Sequence, residues 1–157
     1  MLLCLATLTP GRPAHAESIR HKATIMSAEK ILKTWLGKNP RYEFIAPGRA
    51  WVAGDFNGDG ITDAAALLKD RQAADGSSDR KQVIVLFNGP FARNADAAPA
   101  YLSSPEDLAG YQLVYDAKAP ADARLRVTTI EREEGPFLSP EFVVRPRGPS
   151  YALQKRE

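Results

Sequence analysis

The chain has 157 residues, enough for one domain with a hydrophobic core. Hydrophobic residues make up 44% and charged residues 25%, an ordinary balance for a soluble globular protein. A formal net charge of +2 excludes a general electrostatic pull toward nucleic acid or anionic membrane. The densest basic stretch, the tail RPRGPSYALQKRE, reads as a solvated end.

Residues 1–16 read as a signal peptide or its remnant. The apolar run LLCLATL is too short to span a bilayer. It is followed by TPGRPAHA, whose small residues Ala14 and Ala16 suit a signal peptidase cleft. Cleavage after Ala16 would start the mature chain at Glu17 and place the protein in the periplasm or outside the cell. The one cysteine, Cys4, lies in this segment, so the mature chain would have no disulfide, thiolate nucleophile or cysteine metal site. His21 would be its one histidine, a solvated one. That argues against Ser-His and Cys-His catalysis and against His-rich zinc sites.

SAEKILKTWLGKNP predicts a helix. Ser27 is the expected N-cap, Ala28, Ile31, Leu32, Trp35 and Leu36 form an apolar face, and Gly37 and Pro40 form the stop. Beyond it the pattern turns strand-like. YEFIA, AWVAGDF, DAAALLK and QVIVLFN are short and rich in apolar residues. QVIVLFN is apolar on both faces, as an internal strand would be, next to DAAALLK and covered on one face by the helix. DRQAADGSSDRK reads as an exposed hairpin loop. FARNADAAPAYLSSPEDLAG reads as loop with one helical turn at Pro105 to Ala109. YQLVYDA, LRVTTIE, EFVVRP and SYALQK give four more strands. Short connections favour antiparallel pairing. Residues 17–157 are therefore expected to form a single α+β domain, one N-terminal helix packed on a mainly antiparallel sheet of about six or seven short strands.

The chemistry concentrates in GDFNGDGITDAAALL, residues 54–68. Asp55, Asn57 and Asp59 fall at alternate positions, Gly60 permits a sharp turn, and Asp63 closes the loop. Crowded carboxylates repel one another, and a hard divalent cation removes that repulsion. Calcium takes six to eight oxygens at ~2.4 Å, whereas magnesium demands a near-octahedral shell and keeps its waters. Asp55, Asn57, Asp59, Asp63 and the carbonyl of Ile61 are the expected ligands, with the Ile61 side chain turned into the core. An EF-hand is excluded, because the twelfth position from Asp55 is Ala66 instead of a bidentate Glu, and the flanks read as strands. The metal-free alternative is a hairpin turn built on Asn57-Gly58 and Asp59-Gly60.

The stretch resembles the calcium loop of the FG-GAP and VCBS repeat families, where a strand–loop–strand unit carries DxNxDGxxD. It looks like the single-copy version found in small exported bacterial proteins. The resemblance implies a calcium-stapled hairpin, here residues 50–69. It does not imply a propeller, which needs several blades.

The expected function is an exported calcium-binding module that binds an unidentified protein or glycan partner or serves a structural role. Two other classes compete. A hydrolase would need two carboxylates about 5–10 Å apart across a cleft, drawn from Glu43, Asp70, Glu106, Asp107, Asp116, Glu131, Glu133, Glu134 and Glu141. A carbohydrate- or peptide-recognition domain would display aromatics from Tyr42, Phe44, Trp51, Tyr101, Tyr111 and Tyr115.

Overall fold

A computed structural model describes residues 14–45, 50–72, 81–91, 97–130 and 141–156. Helix α1 runs Ala14–Lys38. It begins thirteen residues before the expected cap, so Ser27 lies inside it. The cause is local: no glycine or proline interrupts the chain from Ala14 until Gly37. The cleavage point expected after Ala16 falls in its first turn. The apolar run 2–8 lies outside the described residues. At the other end the Asn39 amide donates to the Leu36 carbonyl at 3.0 Å and its side-chain amide donates to the Trp35 carbonyl at 2.8 Å. These bonds satisfy carbonyls that a terminating helix leaves open, and Pro40 follows.

Among the described residues ten strands follow: β1 (Tyr42–Phe44), β2 (Trp51–Gly54), β3 (Asp63–Asp70), β4 (Lys81–Phe87), β5 (Tyr101–Leu102), β6 (Glu106–Asp107), β7 (Tyr111–Tyr115), β8 (Leu125–Thr129), β9 (Phe142–Arg147) and β10 (Ser150–Lys155). They form two antiparallel sheets. In the first, β3 and β4 are central. β1 and β2 pair with opposite ends of β3, and β5 and β6 with opposite ends of β4. The second has the order β10-β9-β8-β7.

The expected single helix-covered sheet is therefore corrected. The protein is mostly β, two sheets packed face to face with one helix outside the first. The physical reason is the burial of β3 and β4 on both faces. Ala64, Ala66, Leu68, Val83, Val85 and Phe87 pack under Ile31 and Leu32 of α1. The alternate residues Ala65, Leu67, Ile84 and Leu86 face Leu113, Leu125, Val127 and Val144 of the second sheet. A helix covers one face only, so the other face needs a second layer. The helical turn expected at Pro105 to Ala109 is also absent: Glu106 and Asp107 form β6 against Gln82 and Lys81. A short 3₁₀-helix, Ala121–Ala123, precedes β8.

The two sheets approach at both margins. At one, Ser150 Oγ donates to the Ala100 carbonyl at 3.0 Å, bringing β10 beside β5. At the other, β2 lies against β7, and a Cβ on Gly54 would sit 2.5 Å from the Tyr115 ring. This second margin carries the acidic loop.

Candidate functional site

The loop joins β2 to β3 and is pinned by Phe56. Its side chain is fully buried in the inter-sheet core, edge-to-face with Tyr115 at 5.5 Å. One apolar anchor thus fixes a polar loop between two strands. Gly58 and Gly60 take φ of 83° and 81°, where a side chain would be strained. Each polar side chain then folds back on its own backbone. Asp55 Oδ1 accepts the Gly58 amide at 2.6 Å, and its Oδ2 accepts the Gly60 amide at 3.1 Å. Asn57 Oδ1 accepts the Asp59 amide at 3.0 Å, and Asp59 Oδ1 accepts the Ile61 amide at 2.7 Å. The Asn57 side-chain amide donates to Asp59 Oδ2 at 3.0 Å. Such bonds are why Asp and Asn favour tight turns.

Asp63 stands apart. It is fully buried, accepting the Phe56 amide at 3.0 Å and the Gly89 amide at 3.1 Å. It therefore ties the loop to the end of β4. Burial pushes its carboxyl up to about 6; the two amides oppose that push, and the charges of Asp59 and Asp55 add to it. Asp55 moves the other way. Burial would raise it, but the Gly58 and Gly60 amides and the Arg124 guanidinium together hold it below the ordinary carboxylate range.

Two residues that sequence reasoning did not single out reach this loop. Arg124 Nη1 donates to Asp55 Oδ2 at 2.8 Å and to the Asp55 carbonyl at 3.0 Å. Tyr151, from β10, is nearly buried and donates its hydroxyl to Asn88 Oδ1 at 2.7 Å. Its phenol is raised first by burial and then by the charges of Asp63, Asp59 and Asp55. No sequence signal marks either residue, because Arg124 arrives from the turn just before β8 and Tyr151 from β10. The Ile61 expectation is corrected: its side chain is 38% exposed instead of buried in the core.

Among the described residues no three His, Cys, Asp or Glu side chains are arranged to hold a metal ion. The chemistry of the donor set nevertheless fits one. All five expected ligands offer hard oxygens. Each carboxylate has about four lone-pair positions, of which the bonds above use two or three.

The competing sites have weaker support. Among the hydrolase candidates, Asp70 is held by Arg41 at 2.8 and 2.7 Å, Glu43 pairs with Arg71, Asp116 with Arg126 at 3.5 Å and Glu141 with Arg156 at 2.9 Å. Glu131, Glu133 and Glu134 lie outside the described residues. A groove of about 790 Å³ between β2 and the β7–β8 pair is lined by Trp51, Gln112, Arg126, Thr128 and Glu141 among others. Among the described residues Glu141 is the one carboxylate in its lining, where glycoside hydrolysis uses two. The six aromatics are half-buried. Tyr42, Phe44 and Trp51 pack on the helix-side core, and Tyr101, Tyr111 and Tyr115 on the inter-sheet core. No helix among the described residues is long and apolar enough to cross a membrane.

Comparison with protein-family models, with curated proteins and with solved structures gave no significant match.

Proposed function

We propose that this is an exported calcium-binding module of the FG-GAP/VCBS-like, single-motif kind, in which Asp55, Asn57, Asp59, Asp63 and the Ile61 carbonyl hold one ion that staples the β2–β3 hairpin. The observation that carries the proposal is the pairing of a curled oxygen-rich loop with a buried carboxylate behind it. Asp63 is pushed up by its own burial and by two like-charged neighbours. A bound divalent cation would supply the charge that reverses this repulsion. Asp55, Asn57 and Asp59 supply the outer oxygens, and the two glycines let the backbone turn around them. The hairpin would then be stabilised by mass action, by ~2.7 kcal/mol when free calcium is a hundred times the dissociation constant.

A second reading has its own observation. Arg124 already sets a positive charge against Asp55. With the backbone bonds of the loop, that could serve a metal-free turn whose role is to join the two sheets.

Calorimetric titration of the full chain with calcium separates the two, together with thermal melting with and without chelator. Heat of binding and a calcium-dependent rise in Tm support the calcium module. Absence of both at millimolar calcium leaves the arginine-clamped turn.

A further inference from the structure

We propose that Arg124 is a built-in counter-cation of the acidic loop. It holds Asp55 in the ion-free state and must leave it when the loop loads, so it sets the calcium concentration at which loading occurs. The inference rests on the calcium reading above and adds a regulating residue to it.

The geometry makes Arg124 a competitor and not a bystander. One guanidinium nitrogen bonds both the Oδ2 and the carbonyl of Asp55, the residue at the first ligand position. Arg124 and Asp55 are each 22% exposed on their side chains, so the pair is only partly screened. The Arg124 Nε–H donates to the Ala119 carbonyl at 3.3 Å, and the Arg124 carbonyl accepts the Asp116 amide at 2.9 Å, so the side chain is held from its own turn. A Cβ on Gly58 would lie 3.0 Å from Ala121, which seats the loop on the 3₁₀ turn that carries Arg124. A guanidinium and a divalent ion at one carboxylate are like charges a few ångströms apart and cannot share it at low cost.

The experiment titrates calcium into the full parent chain and into Arg124→Gln by calorimetry, with Arg145→Gln as a control. Arg145 pairs with the exposed Asp122 on the same turn. Arg124→Gln should bind calcium up to about tenfold more tightly, the scale expected for removing one like charge near a partly buried ion. It should also melt at lower temperature in chelator. Arg145→Gln should change neither by more than about twofold, as expected of an exposed pair. In the parent, the Arg124 Nε–H resonance should shift as calcium is added, a readout that needs no variant. Equal or weaker binding by a cooperatively melting Arg124→Gln, or an unmoved Arg124 resonance at saturating calcium, overturns the inference and leaves the calcium module standing. A silent parent beside a binding Arg124→Gln does the reverse: it upholds the counter-cation and removes calcium from the native protein's function at the concentrations tested. Silence in both chains removes the two together.

Discussion

Arg124 and Asp55 lie 69 positions apart in sequence and are joined through one nitrogen, at 2.8 Å to the carboxylate and 3.0 Å to the carbonyl. This contact fastens the acidic β2–β3 loop of the first sheet to the start of β8 on the second. Charge-assisted bonds of this kind are stronger than neutral ones when partly desolvated. The acidic loop is therefore a joint between the two layers as well as a candidate ion site, and the loop's chemistry and the domain's stability should be coupled.

Ligand substitutions should grade by charge. Calcium is expected to bind with a dissociation constant of about 10⁻⁵ to 10⁻³ M, limited by the absence of a bidentate Glu at the twelfth position. Asp59→Ala should abolish binding, because it removes a charged central ligand. Asn57→Ala should weaken it less, because a neutral amide is lost. In chelator the two variants should melt within a few degrees of the parent, and Asp59→Ala could exceed it as repulsion is relieved. Calorimetry checks the first pair of outcomes and scanning fluorimetry the second.

Asp63 gives a pH signature. Its folded value of about 6 lies above the ordinary 3.8, so the folded chain holds this proton more tightly than the unfolded chain does. The associated stability is complete below about pH 4 and is lost as pH rises through about 6, a change of roughly 2–3 kcal/mol. Asp55 and Asp70 are held low, so their contributions run the other way and fail only as pH falls below the ordinary carboxylate range. In calcium-free buffer, urea midpoints should therefore decline between pH 4.5 and 6.5. Asp63→Asn should flatten that decline, and so should calcium. A parent whose midpoints are level across this interval would show that Asp63 is not pushed up.

Val85 tests the double burial of β4. It is fully buried on the helix side, between β3 and β5. Val85→Asp places an unpaired charge there and should abolish cooperative unfolding. Near-ultraviolet circular dichroism of the purified variant is the check, and a native-like spectrum would contradict the central placement.

Gly89 tests the closing of the loop against β4. A Cβ there would meet the Thr62 carbonyl at 2.2 Å, a backbone atom that cannot rotate away. The same residue donates its amide to Asp63. Gly89→Ala should cost about 1–3 kcal/mol, the usual scale of overpacking. It should also weaken calcium binding, because the backbone shift that relieves the clash draws the residue 89 amide away from Asp63. Paired urea melts and calorimetry read both effects, and unchanged affinity would mean that the backbone shift at residue 89 does not reach Asp63.

The sequence by itself determined the local features. Short runs rich in apolar residues, bounded by turn residues, marked β1 to β4 and β7 to β10, because a strand that buries a face must carry apolar side chains on it. Asn57-Gly58-Asp59-Gly60 marked the turn, because those residues accept positive φ and self-bond. The apolar run from Val83 to Phe87 marked an internal strand. Tertiary structure decided the rest. Nothing local says that the strands from Tyr111 onward form a second sheet facing Ala65 and Ile84, since sheet membership depends on pairing between distant segments. β5 and β6 have two residues each, too few for any period to show. Residues 14–26 carry no apolar stripe comparable with the one from Ala28 to Leu36, so the helix was legible only from Ser27 onward. In sequence Arg124 stands unremarked before the strand that begins at Leu125 and Tyr151 looks like an ordinary strand residue, and they reach the acidic loop only because two sheets fold face to face and bring residues 69 and more positions away within hydrogen-bonding distance or electrostatic range of its carboxylates.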